Sequence, residues 1–178
     1  MPTQPTPEIP QPAPELLDVT QDLAHTGIVI VDHGSRREAS NLMLEQFVEL
    51  FVQLKAQYPI VEPAHMEIAR PSIADAVARC VERGARRVAV CPYFLAPGKH
   101  WHKDIPELTQ AACVAVQGKT EAGVIPWVVT APIGLMPLMA DVIENRLTHC
   151  LLRASGKAGE CDSCAGTGRC RLHEGEQA

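Results

Sequence analysis

Two histidines follow apolar runs of the chain and could do chemistry together. His33 comes after the run 28–31 and Asp32, and His100 follows the run 88–95 through a Pro-Gly turn. In a parallel α/β sheet, ligands bind beyond the carboxyl ends of the strands. An imidazole held there can bind a divalent metal ion or move a proton near neutral pH. The spacing therefore predicts one pocket shared by the two histidines.

A carboxylate is expected at the same edge of the sheet. Alternation along the predicted strand 61–68 puts His65 and Glu67 on one face, with Glu67 near the strand's carboxyl end. Two neutral imidazoles and a carboxylate suit a first-row divalent ion, and three protein ligands leave coordination positions open. From spacing alone two alternatives remain: the histidines are solvated or capping side chains, and Glu67 pairs with Arg70.

The elements that must position these residues alternate along the chain. Ser72, with Asp75 three residues later, is typical of a helix N-cap, and Asp104 is expected to cap the third helix. Strands that alternate with helices predict an α/β fold with a mostly parallel four-stranded sheet and right-handed crossovers. Apolar patterning places the strands at 28–31, 61–68, 87–95 and 124–130, and the helices at 38–58, 71–84, 104–116 and 138–152.

Composition excludes two classes of partner. A net charge of −5, a pI near 5.8 and an aromatic content of 4% give neither the basic surface nor the stacking side chains of a nucleic-acid-binding protein. The stretch 124–140 carries no basic or acidic residue, but three prolines and a glycine interrupt it. Because prolines break helices, this stretch is interpreted as buried strand, loop and helix start, and no membrane partner is expected.

The two ends of the chain differ in composition from the middle. Residues 1–24 are rich in proline and lack apolar periodicity, which predicts a disordered extension. Residues 25–153 are predicted to form the ordered domain and residues 154–178 a flexible, cysteine-rich tail. The seven cysteines and the lack of a secretory signal indicate a cytoplasmic protein with reduced thiols.

Three cysteines of the tail have the spacing of a thiolate site. They form the pattern Cys161-x2-Cys164-x5-Cys170. An iron–sulfur cluster, a structural zinc site and free or redox-active thiols all fit this pattern. A cluster or zinc site usually takes four ligands, and the candidates for the fourth are Cys113, Cys150, His149 and His173.

Four segments, in this order, resemble a known family. They are Asp-His-Gly-Ser-Arg at 32–36, His-Met-Glu-Ile-Ala-Arg-Pro-Ser-Ile at 65–73, the stretch 93–106, and Thr-Ala-Pro-Ile-Gly at 130–134. The chain is similar to the small sirohydrochlorin chelatases of the CbiX/SirB type, within the class II chelatases. The resemblance implies a chelatase-like, three-layer α/β fold, in which one half-size domain pairs as a homodimer.

The resemblance also implies residue roles. Metal insertion would use His33 and His100, with Glu67 matching a glutamate of related chelatases, and these three are the expected metal ligands. Neutral histidines can accept the pyrrole protons or hand over the metal. Sirohydrochlorin is rich in carboxylates, so cations should line the cleft. The expected substrate-binding residues are Arg36, Lys99, Ser35 and His65.

The function implied is that of a lyase, sirohydrochlorin ferrochelatase. It would insert Fe²⁺ into sirohydrochlorin to form sirohaem, with release of two protons. Insertion of Co²⁺ or Ni²⁺, for cobalamin or related tetrapyrrole synthesis, is the alternative, because histidines bind all three ions. A carrier without turnover and a zinc-stabilised interaction protein are further alternatives.

The cysteine tail resembles that of the plant-type members, where it is associated with a [2Fe–2S] cluster. This implies Cys161, Cys164 and Cys170 as ligands, with Cys113 as the fourth and Cys150 as its alternative. If the chain is a processed plant-type form, the plastid stroma replaces the cytoplasm as its expected location.

Overall fold

The structure, a computed structural model, describes residues 22–118, 123–167 and 170. Most of the predicted extension 1–24 and the end of the tail lie outside the described residues. The chain divides into two compact units, Met1–Gly134 and Leu135–Ala178. The predicted domain boundary near residue 153 stays a prediction; the division into units falls earlier, and so places the fourth helix with the cysteine-rich segment.

Four parallel strands form the sheet of the first unit. Their spatial order is β2-β1-β3-β4, as expected for an α/β fold with crossover helices. The strand ends are aligned, because Asp32 pairs with His65, and Val31 pairs with Pro92. The bounds are Thr26–Asp32 (β1), Val61–His65 (β2), Arg87–Pro92 (β3) and Trp127–Val129 (β4).

Four α-helices accompany the strands. Their bounds are Glu38–Leu54 (α1), Ile73–Glu82 (α2), Ile105–Ala115 (α3) and Leu138–Ala154 (α4). The predicted cap of α2 is confirmed: the Ser72 side chain accepts from the Asp75 amide, and the Asp75 carboxylate accepts from the Ser72 amide. A π-helical turn, His100–Asp104, leads directly into α3.

The sheet is covered on both faces, which gives the predicted three layers. Val29 and Val31 point into one apolar cluster, which also contains residues of α2 and α3 such as Val77. Ile28 and Ile30 alternate with them and pack into a second cluster with residues of α1. In the described part of the chain, no helix is both long and apolar enough to cross a membrane.

Candidate functional site

His33 and His100 meet at the carboxyl edge of the sheet. Their ring centroids are 5.3 Å apart, and the ring planes cross at 68°. His33 lies one residue beyond β1, while His100 opens the π-helical turn that follows the β3 loop. Both side chains are partly exposed, at 45% and 42%. The structure thus brings together the two histidines that the strand-end pattern predicted.

Glu67 also lies beside His33, but it does not lie on a strand as predicted. The Glu67 Oε2 atom is 3.8 Å from His33 Nε2. β2 ends at His65, so Glu67 belongs to a turn beyond the strand and does not share a strand face with His65. The Glu67 side chain is 54% exposed, whereas His65 is fully buried. Arg70 does not pair with Glu67; it bonds to the Asp75 carboxylate.

A glycine allows the two segments that carry this pair to touch. The backbone of Gly34 has a φ of +82°, and a Cβ atom added there would lie 2.3 Å from the carbonyl oxygen of Glu67. Only glycine fits both the positive φ and this approach. The Glu67 amide in turn donates to the His33 carbonyl at 3.2 Å. Gly34 therefore fixes the spacing between the imidazole and the carboxylate.

The predicted role of His65 in substrate binding stays a prediction, and the structure gives this residue a partner within the fold. Its side chain is fully buried, and its Nδ1–H donates to Asp32 Oδ1 at 2.6 Å. The same oxygen accepts the Gly34 amide at 2.9 Å. Within the described residues, His65 Nε2 has no hydrogen-bond partner. The hydrogen bonds of Asp32 and His65 therefore fix the position of the backbone on both sides of His33.

Asp104 forms a hydrogen bond with His100, and its side chain does not form the predicted cap of α3. Its Oδ2 atom accepts from His100 Nδ1 at 2.7 Å, and its side chain makes no capping hydrogen bond. A carboxylate on one ring nitrogen fixes the tautomer and leaves the other nitrogen with a free lone pair. Nε2 of His100 is thereby prepared to accept a proton or a metal ion.

The three predicted ligands do not form a closed metal site. Across residues 22–118 and 123–167 and at Cys170, no three His, Cys, Asp or Glu side chains are grouped closely enough to hold a metal ion. His33 is near both Glu67 and His100, but the three do not converge as ligands. Glu67 lies on a turn beyond β2 and is more than half exposed.

The predicted cationic residues flank the histidines and are free to bind a ligand. Arg36 and Lys99 are exposed, and neither forms an ion pair with another described residue. The oxygen atoms of Ser35 are used in hydrogen bonds within its own loop. Its Oγ accepts from the Arg37 amide at 3.0 Å, and its carbonyl accepts from the Asn41 side chain at 2.9 Å. The two cations fit a role in binding carboxylates, and Ser35 fits a role in shaping the loop.

Two acidic residues of the site were missed as histidine partners. Asp32 directly precedes His33, and Asp104 lies four residues after His100. The second spacing is a signal that the sequence offers, because residues four apart face each other on a helix. The first partnership is not readable from spacing, since it depends on the register that aligns Asp32 with His65.

The cysteines of the second unit are organised by a turn attached to α4. The amide of Cys164 donates to the Cys161 carbonyl at 3.0 Å, which brings the two side chains together. A hydrogen bond from the Ser163 backbone lowers the pKa of Cys161, and the hydrogen bond with Cys161 raises the pKa of Cys164 to about 11. Cys170 raises the pKa of Cys164 further. These effects indicate that the three thiols lie near one another, although among the described residues no three of them are grouped closely enough to hold a metal ion.

The two candidates for the fourth cysteine ligand, Cys113 and Cys150, differ in exposure. Cys113 is 2% exposed in the core of the first unit, where burial raises its pKa to about 12 and opposes the thiolate that a ligand must be. Arg146 of α4 binds the Asp162 carboxylate with both nitrogens of its guanidinium. Cys150 lies one turn after Arg146 on α4 and is exposed.

Comparison with solved structures supports the fold. A CbiX protein from Marinobacter aquaeolei is 28% identical, with a TM-score of 0.53 over 72% of this chain and 98% of that one. SirB from Bacillus subtilis with Fe³⁺ is 26% identical, with a TM-score of 0.58 over 69% of this chain and 46% of that one. The predicted chelatase-like fold is confirmed.

Comparison with curated sequences agrees with the comparison of structures. The sirohydrochlorin ferrochelatase of Arabidopsis thaliana, a chloroplastic protein, is 54% identical over 147 residues, 83% of this chain and 62% of that protein. A sirohydrochlorin cobaltochelatase of Methanocaldococcus jannaschii is 43% identical over 81 residues, 46% of this chain and 56% of that protein. The chain thus spans less than two thirds of either relative. The family model described as CbiX matches residues 27–150, so the chain belongs to the CbiX family.

Proposed function

We propose that this protein is a sirohydrochlorin ferrochelatase, a lyase that inserts Fe²⁺ into sirohydrochlorin. The observation that carries the proposal is the edge-to-face pair of His33 and His100, with Glu67 3.8 Å from the first ring. Membership of the CbiX family and the similarity to the Arabidopsis ferrochelatase support it. Sirohydrochlorin and Fe²⁺ are the substrates, and sirohaem and two protons are the products.

The residues suit the two tasks that metal insertion requires. Two pyrrole N–H protons must leave the macrocycle, and the metal ion must lose its water ligands before it enters. Asp104 holds the Nδ1–H of His100, so Nε2 presents a lone pair toward the open edge. His33 has the Glu67 carboxylate beside its own Nε2, which stabilises a proton that His33 accepts. A pair of bases at this edge thus serves both deprotonation and metal transfer.

The exposed cations supply the binding of the substrate. Sirohydrochlorin carries several carboxylates, and Arg36 and Lys99 are charged groups without an ion-pair partner among the described residues. Arg36 can bind a carboxylate with two hydrogen bonds, and Lys99 binds one as a point charge. Because each lies next to a candidate catalytic histidine, carboxylate binding would place the macrocycle over the histidine pair.

The second candidate function is the same reaction with Co²⁺. The archaeal relative is a cobaltochelatase, and imidazole and carboxylate ligands accept Fe²⁺, Co²⁺ and Ni²⁺ alike. The experiment that separates these functions is an anaerobic assay with metal-free sirohydrochlorin and each of the three ions. Multiple turnovers, fastest with Fe²⁺, are expected. Fastest turnover with Co²⁺ would assign the cobalt reaction, and stoichiometric binding without turnover would indicate a carrier.

We propose that the protein acts as a homodimer and that α4 contributes to the dimer interface. None of the described side chains of this helix is buried. Five of its apolar side chains are more than half exposed, and contiguous apolar patches of this kind typically cover an interface. They are Leu138, Val142, Ile143, Leu147 and Leu151. Sedimentation velocity is expected to give twice the mass of the chain, and a Leu147→Glu, Leu151→Glu variant is expected to sediment as a monomer.

We also propose that the cysteine turn binds a [2Fe–2S] cluster. Three nearby thiols, one with a lowered pKa, are the ligand type that holds such a cluster, and cluster binding would draw them closer together, since no three of the described side chains are grouped to hold a metal ion. Cys161, Cys164 and Cys170 would bind the cluster, with Cys150 as the fourth ligand in place of Cys113. A cluster at this place would stabilise the turn and respond to redox conditions. It has no role in the insertion step at the histidine pair.

The proposed location in the cell rests on the comparison with the Arabidopsis relative. The Arabidopsis relative is chloroplastic, so the plastid stroma is the proposed location for a chain of this plant type, and the cytoplasm is its counterpart in an organism without plastids. Fractionation of the source cells, followed by detection of the protein in stromal and cytoplasmic extracts, distinguishes the two.

A further inference from the structure

Ile68 is an exposed side chain on a strained backbone. Its φ is +64°, and among the described residues it is the one non-glycine residue with a positive φ. The Ala69 amide donates to the Glu67 carbonyl at 2.6 Å, which closes a γ-turn around Ile68. A γ-turn with positive φ is rare and strained, and a β-branched residue makes it more so. The Ile68 side chain is 60% exposed, so packing does not offset the strain.

The surroundings hold the turn in place. The Met66 amide donates to the Asp32 carbonyl at 2.8 Å, and the Glu67 amide donates to the His33 carbonyl at 3.2 Å. On the other side of the turn, the His65 amide donates to the Pro71 carbonyl at 2.7 Å. Strain that is fixed in this way from several sides persists mainly at functional sites. The turn therefore exposes Ile68 one residue after Glu67, whose carboxylate lies 3.8 Å from His33.

The edge around Ile68 combines apolar side chains with charge. Tyr93 and Leu95, which follow β3 at the same edge, are 42% and 64% exposed. Apolar side chains at the edge that also carries the unpaired cations Arg36 and Lys99 fit a ligand with a broad apolar face and an anionic rim.

We propose that Ile68 is a substrate-binding contact, which the γ-turn holds against the flat apolar face of the tetrapyrrole macrocycle. This inference rests on the proposed function, because it takes sirohydrochlorin as the ligand. A branched apolar side chain gains binding energy from covering a conjugated face that water solvates poorly. Contact at Ile68 would also place the macrocycle next to Glu67 and His33.

The test replaces Ile68 in two ways and measures binding apart from turnover. Ile68→Asn has a similar size, tolerates a positive φ and is polar, while Ile68→Gly removes both the side chain and the strain. Binding of metal-free sirohydrochlorin is followed by quenching of tryptophan fluorescence. Both variants are expected to raise the Kd about 10-fold, which is the worth of one covered apolar side chain. Ile68→Gly is expected either to leave the Tm unchanged or to raise it by roughly 2–4 °C.

The control is Leu54→Asn, since Leu54 is as exposed, at 68%, and ends α1 at the opposite end of the sheet. Its Kd should match that of the unchanged protein. Unchanged binding in both Ile68 variants, an equal loss in Leu54→Asn, or a Tm of Ile68→Gly several degrees below that of the unchanged protein would each overturn the inference. If the unchanged protein does not bind sirohydrochlorin, the proposed function fails together with it.

Discussion

The hydrogen bond between Asp104 and His100 offers the sharpest test of how the site works. Replacing Asp104 with Asn keeps the size of the side chain and removes its charge. The amide group of Asn can donate to Nδ1 of His100, which moves the ring proton to Nε2. The lone pair that faces the open edge is then lost. We expect kcat for metal insertion to fall, while the KM for sirohydrochlorin stays within about twofold.

The size of the effect follows from the geometry. The Nδ1–Oδ2 distance is 2.7 Å, which lies within the range of charge-assisted hydrogen bonds. Such bonds contribute about 1.5–3 kcal/mol. Because His100 is 42% and Asp104 25% exposed, solvent weakens the bond, and we take the lower half of that range. A loss of about 1.5–2 kcal/mol corresponds to a 10- to 30-fold lower kcat.

The assay is the initial rate of Fe²⁺ insertion under anaerobic conditions, with thermal unfolding measured in parallel. Asp104→Glu is the conservative variant and should recover part of the rate. Asp75→Asn is the matched control, since that carboxylate lies in the cap of α2 and does not contact either site histidine. A kcat of Asp104→Asn equal to that of the unchanged protein would refute the role of Asp104.

Three further predictions concern the scaffold and the cysteine turn. Gly34→Ala should destabilise the protein by at least about 1–2 kcal/mol in urea unfolding and abolish metal insertion. The reason is that the added Cβ would lie 2.3 Å from the Glu67 carbonyl oxygen. A fully active, equally stable variant would contradict this. Asp75→Asn should lower the free energy of unfolding by about 0.5–2 kcal/mol at neutral pH. Hydrogen bonds from Ser72 and Arg70 lower the pKa of Asp75 to about 2, so its contribution is present above its unfolded pKa and is lost as the pH falls through about 2. The difference between the two proteins should therefore vanish in acid, and a difference that is constant with pH would argue against this pairing. Cys150→Ser and Cys164→Ser should lose bound iron and acid-labile sulfide, whereas Cys113→Ser should retain both; loss of iron in Cys113→Ser alone would restore Cys113 as the fourth ligand.

The strand-end pattern was enough to predict the main features of the site. Apolar runs that end in His33 and in the loop before His100 specify buried parallel strands, and parallel strands present their carboxyl ends at one edge. The cap at Ser72 was also predictable, because its residues are close in sequence. Features that depend on a few neighbouring residues were thus accessible without the structure.

Features that depend on strand register and turn geometry were not accessible. Alternation along residues 61–68 extended β2 as far as Glu67, but the chain leaves the strand at His65. The turn beyond it buries His65 against Asp32 and turns Ile68 outward. Nothing in the spacing of apolar residues distinguishes a strand of eight residues from a shorter one followed by a γ-turn. The prediction that His65 and Glu67 share a strand face failed for this reason.

The most direct test of the central claim is a double-mutant cycle on the two site histidines. Rates of Fe²⁺ insertion would be measured for His33→Ala, His100→Ala and the double variant. Because the rings lie 5.3 Å apart and are proposed to act as one unit, each single change should lower kcat about 10²- to 10⁴-fold, and the double change little further. Losses that multiply in the double variant, or single variants with unchanged rates, would contradict a shared histidine site.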